Sequence, residues 1–169
     1  MAALILLDVD GVLNPTVTSD RQSGGHRLGL DPEREALVLR LAAVGTIVWA
    51  TTWPPKLTSV LARDLGLPEE TEAIVFSGGL PRDPRFPGQT GKLQPVAAWL
   101  EAARERTEID AVVWIDDNLR EDAYAWAREQ ETPFHLVRPD AAAGLTSDEV
   151  GGAEDFLADF PASRGDIRE

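Results

Sequence analysis

The residues of this chain best suited to chemistry are carboxylates in two tight groups. Asp8 and Asp10 flank a single residue and are followed by Gly11, while Asp116 and Asp117 are adjacent. In extended backbone, residues i and i+2 share a face, so Asp8 and Asp10 project to one side. Unit charges roughly 4 Å apart repel by about 4 kcal/mol at an effective dielectric near 20. Carboxylates gathered so closely must protonate, separate or hold a cation. An all-oxygen site without His or Cys favours Mg2+, which keeps water ligands and bridges to phosphate. Taken singly, each group has an ordinary explanation. Asp8-Val9-Asp10-Gly11 reads equally well as a turn after a strand, and Asp116-Asp117-Asn118 as the cap of a following helix. A calcium loop is excluded, because Gly11 comes too early and no Glu stands at the position such a loop requires.

A basic residue and two hydroxyls complete the set. Lys92 lies at or just before a helix start in Gly88-Gln89-Thr90-Gly91-Lys92. There its charge sits beside free backbone N–H groups, an arrangement suited to a phosphoryl oxygen. The segment is not a P-loop: its glycine spacing is too short, Leu93 replaces the required Ser or Thr, and no long strand leads into it. A lone surface lysine is the plain alternative. Thr51 and Thr52 follow an apolar run, as Asp8 does.

Five short apolar runs position these residues: Ala3–Leu7, Thr46–Ala50, Ala73–Phe76, Ala111–Ile115 and Phe134–Val137. Each is nearly continuous, as expected of parallel strands covered on both faces. Helical patterns fall between them. Asp31-Pro32 supplies an N-cap and a first-turn proline for a helix to about Val44, with Gly45 just beyond. Further helices are expected over Lys56 to Leu65 (stopping at Gly66), Leu93 to Arg106, Arg120 to Gln130 and, more weakly, Glu154 to Phe160. This alternation predicts an α/β fold, an open parallel sheet of about five strands with helices on both faces. In such sheets ligands bind beyond the carboxyl ends of the strands. Those ends carry Asp8, Thr51 and Thr52, Ser77, and Asp116 and Asp117. Both carboxylate groups at strand ends of one sheet make a site a better reading than two separate turns.

The chain has 169 residues, enough for one domain that buries roughly two-thirds of its unfolded surface. One domain is expected over residues 1–160, with a polar, frayed tail over 161–169. The N-terminal apolar stretch lacks a basic start and runs directly into Asp8, so it reads as a buried strand rather than a signal peptide. No apolar run approaches the ~20 residues of a membrane span. The absence of cysteine excludes disulfides and thiolate metal sites and makes a cytoplasmic location the default expectation. The net charge of -13 repels polyanions at long range, which argues against tight nonspecific nucleic-acid binding but not against a local basic pocket.

Leu6-Leu7-Asp8-Val9-Asp10-Gly11-Val12-Leu13-Asn14, then a strand-end Thr, then Lys92, then Val113-Trp114-Ile115-Asp116-Asp117, resembles the haloacid dehalogenase (HAD) superfamily. All four motifs of that superfamily occur in order over nearly the whole chain. Trp49-Ala50-Thr51-Thr52-Trp53, Leu65-Gly66-Leu67-Pro68 and Gly144-Leu145-Thr146 are similar to a small bacterial branch. Some members of that branch are linked by domain context to RNA end repair.

The resemblance implies a three-layer Rossmann-like fold and a phosphomonoester hydrolase that works through an aspartyl-phosphate. Asp8 would attack phosphorus, and Asp10 would protonate the leaving oxygen and then activate water. Thr51, with Thr52 as a competing candidate, would hold the phosphoryl group, and Lys92 would neutralise it. Asn14, closing the first motif, joins these residues as a substrate contact. Asp8, Asp10 through its carbonyl, Asp116 and Asp117 would hold Mg2+. Asp122 is a second acidic choice, expected on a helix surface. No stretch is long enough for the cap domain that many relatives insert. The implied site is open, suited to a large or exposed phosphorylated substrate: a nucleic-acid end, a nucleotide or a phosphoprotein.

Other residues carry plainer readings. His26, with Arg27 in a glycine-rich loop, is expected to be solvated and His135 structural. Trp53 is expected at the core or rim, although it could stack on a base. Trp49, Trp99, Trp114 and Trp126 read as core. Three other functions compete with hydrolysis. Phosphotransfer would use the same residues. A regulatory domain would keep the metal and lose turnover, and a flavodoxin-type binding module would not require Lys92.

Overall fold

The computed structural model describes residues 2–14, 30–68, 70–76 and 88–160. Strands β1 (Ala2–Leu7), β2 (Thr46–Trp49), β3 (Ile109–Ile115) and β4 (Phe134–Val137) form one sheet in the order β2-β1-β3-β4. Every pairing is parallel. Helices α1 (Pro32–Val44), α2 (Pro55–Asp64), α3 (Leu93–Arg104), α4 (Glu121–Arg128) and α5 (Ser147–Ala158) connect and cover the strands.

The alternation of side chains along β1 divides the core in two. Ala3, Ile5 and Leu7 pack with Leu37, Val38 and Leu41 of α1, Leu61 of α2 and Val150, Ala153 and Leu157 of α5. Leu4 and Leu6 face the other way, onto Val96, Leu100 and Ala103 of α3 and Ala123 of α4. Burial on both faces explains why the strand sequences are continuous apolar runs rather than alternating ones. Within the first of these layers Arg40 of α1 fastens the two helices, its Nε and Nη2 meeting Glu154 of α5 at 2.9 and 2.6 Å.

The order of strands sets where a ligand can bind. From β1 the chain moves outward to β2, then crosses back over β1 to β3. The carboxyl ends of β1 and β3 therefore border the crevice where the winding reverses.

Two expectations need correction. Ala73–Phe76 is not a fifth strand. Ala73 makes an isolated parallel bridge to Trp49, through Trp49 N–H to the Glu72 carbonyl at 2.9 Å and Ile74 N–H to the Trp49 carbonyl at 2.8 Å. Pairing goes no further within the described residues, and Val75 is 66% exposed there. The closing helix begins at Ser147, well before Glu154. A capping box, in which Thr146 and Glu149 exchange hydrogen bonds, nucleates it and carries it through Gly151 and Gly152. That glycine pair breaks the sequence pattern without breaking the helix.

The bounds of the other strands and helices hold within a residue or two, β3 starting at Ile109 rather than Ala111. α1 covers the expected span, with Asp31 accepting from Arg34 N–H and the Gly45 N–H closing on Leu41. α2 stops before Gly66, whose φ of 68° suits a residue without a side chain. Trp49 and Trp114 are fully buried, whereas Trp99 and Trp126 are only partly so. His135 stacks on Phe156 with ring centroids 5.3 Å apart, a packing role. Ser77, His26, Arg27 and the tail from Pro161 lie outside the described residues. No cap domain occurs among the described residues.

Asp31→Ala is expected to lower unfolding free energy by about 1 kcal/mol, the usual worth of an N-cap. Hydrogen bonds from Arg34 hold the Asp31 carboxyl below its ordinary 3.8. Its contribution is therefore present above that value and fades as pH falls through the lower folded-state pKa. Urea unfolding at neutral and strongly acidic pH checks both points, and an equal deficit at both would contradict them.

Candidate active site

Asp8 directly follows β1, and Asp116 directly follows β3, at the crevice between those strands. Hydrogen bonds from Asp8 N–H to the Ile115 carbonyl and from Asp116 N–H to the Val137 carbonyl extend the sheet through both positions. Both carboxylates are thus held on rigid backbone and buried, at 4% and 0% exposure. Lys92 stands at the N-cap of α3 but makes no side-chain capping bond. Instead its Nζ lies 2.5 Å from Asp8 Oδ2 and 2.8 Å from Asp116 Oδ2. One cation bridges two buried anions. The isolated-lysine alternative is thereby excluded.

The charges are not in balance. Burial raises the Asp8 pKa to about 7; the Lys92 ammonium lowers it, while the negative charge of Asp116 adds to the rise. For Lys92, burial works against the charged form, yet Asp8 and Asp116 together keep the pKa above its usual value. Burial, reinforced by repulsion from Asp116, also raises Asp117. Two or three carboxylates against one ammonium leave a deficit of positive charge.

A metal ion fits that deficit. Asp8, Asp116 and Asp117 each offer an oxygen, and the three lie within 4.8 Å of one another. Asp116 Oδ2 is buried and accepts no well-directed hydrogen bond, with the Lys92 ammonium as its close cation. Gly11, at φ 75°, keeps room beside the cluster, since a Cβ there would stand 2.5 Å from Asp117 Cγ. The donors are all oxygen and suit a hard divalent cation.

Asp10 is placed differently. Its side chain is exposed and outside the acidic trio, with Oδ2 accepting from the Trp53 indole N–H at 2.9 Å and Oδ1 from Asn14 Nδ2 at 3.3 Å. A turn in which Leu13 and Asn14 N–H groups return to the Val9 carbonyl brings Asn14 back to it. Thr51 is buried at the end of β2, with Oγ1 accepting from Trp53 N–H at 3.4 Å, while Thr52 is exposed.

Three features lay beyond the reach of sequence reasoning. Asp122 is half-buried rather than on the helix surface. It accepts from Thr90 N–H at 2.9 Å and Thr90 Oγ1 at 2.8 Å, and Thr90 Oγ1 accepts from Arg120 N–H at 2.8 Å. This brace pins the loop that carries Lys92 to the start of α4. Trp53 serves as a hydrogen-bond donor to Asp10 as well as a packing residue. Arg138 donates from Nε to the Asp117 carbonyl at 3.2 Å. No motif spacing links residues so far apart in sequence.

Lys92→Met leaves two buried carboxylates without their cation, and a loss of about 3–5 kcal/mol in unfolding free energy is expected at neutral pH. Lowering the pH toward 4 protonates Asp8 and recovers part of that loss, which denaturant titrations across pH would show. A second expectation concerns Asp8 itself. Its folded-state pKa of about 7 exceeds the ordinary 3.8, so ionising it between those values costs stability. In chelator, Asp8→Asn should gain on wild type as pH rises from about 4 to 7; a flat difference would refute this.

Residues 4–150 match the family described as "HAD domain in Swiss Army Knife RNA repair proteins". No curated protein matches the chain. Among solved structures, that of DsGPDH of Dunaliella salina is similar at a TM-score of 0.48 and 14% identity, over 88% of this chain and 28% of the other. This chain therefore spans about a quarter of that relative's length. The family match takes in β1 with Asp8, Lys92 and β3 with Asp116 and Asp117, and the chain belongs to the family of HAD domains found in Swiss Army Knife RNA repair proteins.

Proposed function

We propose that the protein is a Mg2+-dependent phosphomonoester hydrolase with Asp8 as its nucleophile. The observation that carries this reading is the Lys92 ammonium between Asp8 and Asp116 at the strand-reversal crevice, with Asp117 completing a three-carboxylate cluster. The reaction comprises two displacements. In the first, an Asp8 oxygen forms a bond to phosphorus while the bond to the leaving oxygen breaks, and Asp10 gives that oxygen a proton. In the second, Asp10 takes a proton from water, which attacks the aspartyl-phosphate and releases inorganic phosphate with Asp8 restored. A phosphotransferase would use the same residues, with another alcohol in place of water.

The pairing of Lys92 with Asp8 supports a role in keeping the nucleophile ionised and screening the incoming phosphoryl oxygens. Asp8, Asp116, Asp117 and the Asp10 carbonyl would hold Mg2+, whose chemistry is to polarise the phosphoryl group and lower charge repulsion. The exposure of Asp10, held at both oxygens by Trp53 and Asn14, suits a group that exchanges protons with substrate and solvent. Thr51, buried at the strand end, is a better candidate than exposed Thr52 to bind the phosphoryl group. Asn14, already bonded to Asp10, would reach substrate from the same side.

The family description favours a phosphorylated RNA end over a nucleotide or a phosphoprotein. No helix among the described residues is long and apolar enough to cross a membrane. A single domain over residues 1–160 acting in the cytoplasm is the matching cellular picture.

Hydrolysis of an aryl phosphate should require Mg2+, stop in chelator, and fall by several orders of magnitude in Asp8→Asn with its fold retained by circular dichroism. Mg2+ should raise the Tm of wild type and do so less in Asp117→Asn. Turnover unaffected by chelator or by Asp8→Asn would overturn the reading.

A further inference from the structure

Most arginines in the described residues are spent on carboxylates. Arg34, Arg40, Arg63, Arg106 and Arg128 each pair with one. Arg104, Arg120 and Arg138 make no such pair among the described residues. Arg104 lies away from the active site, bonded to Gln130 and Thr132 near the amino ends of β3 and β4. The other two are fastened to neighbouring residues of the turn that carries the acidic cluster. Arg138, exposed, donates from Nε to the Asp117 carbonyl at 3.2 Å, and Arg120 donates from Nη2 to Asn118 Oδ1 at 2.8 Å.

Both acceptors are uncharged. Each guanidinium therefore keeps its full charge and has N–H donors left over, held at a fixed place beside the site. Arg120 is close enough for its charge to act on the Asp117 carboxyl. In a protein of net charge -13, two cations that make no direct ion pair among the described residues, both fastened to the turn of Asp117 and Asn118, form a local exception to the surrounding field. Planar forks of this kind match phosphate oxygens in geometry as well as charge.

We propose that Arg120 and Arg138 form a second phosphate site, taking a phosphate of the substrate other than the one cleaved. This rests on the hydrolase reading above and extends it to the substrate, which must carry two phosphate groups in proximity. A phosphodiester next to a nucleic-acid end and the second monoester of a nucleoside bisphosphate both have that chemistry. Two arginines also explain how a strongly acidic protein holds a polyanionic substrate without general affinity for nucleic acid.

The test compares wild type with Arg120→Gln, Arg138→Gln, the double variant and Arg138→Lys. The substrates are a tetranucleotide with one terminal phosphate, a nucleoside bisphosphate, a nucleoside monophosphate and an aryl phosphate. KM for the two-phosphate substrates should rise about tenfold per arginine removed, with kcat changing less. Their kcat/KM relative to the monophosphate should fall to match, and Arg138→Lys should recover part of the loss. An effect on the tetranucleotide alone assigns the diester, and one on the bisphosphate alone assigns the second monoester. The salt dependence of tetranucleotide KM should become shallower in the double variant, by about 0.7 in log–log slope for each phosphate the protein no longer neutralises.

Equal losses on all four substrates, or none, overturn the proposal. If wild type hydrolyses none of them, the hydrolase reading fails by itself. The second site is then read from binding of a labelled phosphorylated tetranucleotide in Mg2+. About tenfold weaker binding by the double variant supports it, and unchanged binding removes it.

Discussion

Two carboxylates buried at adjacent strand ends cannot both stay ionised without nearby positive charge, and the rest of the site follows from that constraint. Asp8 and Asp116 are brought together by the β1–β3 pairing, which the apolar side chains of both strands enforce. Their backbones continue the sheet, so neither can retreat into solvent to relieve the repulsion. Lys92 meets both, but a single ammonium is not enough, and Asp8 still binds its proton more tightly than an ordinary aspartate does. The remaining deficit is one that a divalent cation would fill. Burying like charges on a rigid frame is what makes the cluster suited to a metal.

The frame has a second tier that holds the reactive groups in place. Thr90 is clamped by Asp122 and by the Arg120 backbone, so the loop leading to Lys92 is anchored to the start of α4 rather than left free. Asp10, by contrast, is kept outside the acidic trio by Trp53 and Asn14, one donor for each oxygen. The two aspartates of one short motif thus occupy opposite environments, one desolvated and one wet. That difference is one that the proposed division of labour between a nucleophile and a proton carrier would use.

Much of the fold was legible because burial on two faces leaves a strong trace in sequence. The runs that became β1, β2, β3 and β4 are continuous and apolar, and α1 carries a proline start, an Asp cap and a following glycine. Reading failed where local signals conflicted with tertiary context. Ala73–Phe76 has strand composition, but among the described residues its pairing stops at one bridge to the short β2. The glycine pair of α5 hid the first two turns of a helix that its capping box and its packing on α1 sustain.

By itself the sequence determined the chemistry available: an aspartate-rich set without cysteine, one lysine at a helix start, and an alternation of elements that brings strand ends to one edge. Residue type and short-range spacing carry that information. Only the tertiary structure decided which groups touch. It put Lys92 on both Asp8 and Asp116, kept Asp10 apart from them, turned Asp122 toward Thr90, and left Arg120 and Arg138 without carboxylate partners among the described residues. These contacts join residues remote in the chain, and their energies depend on burial and direction, which no pattern along a single sequence encodes.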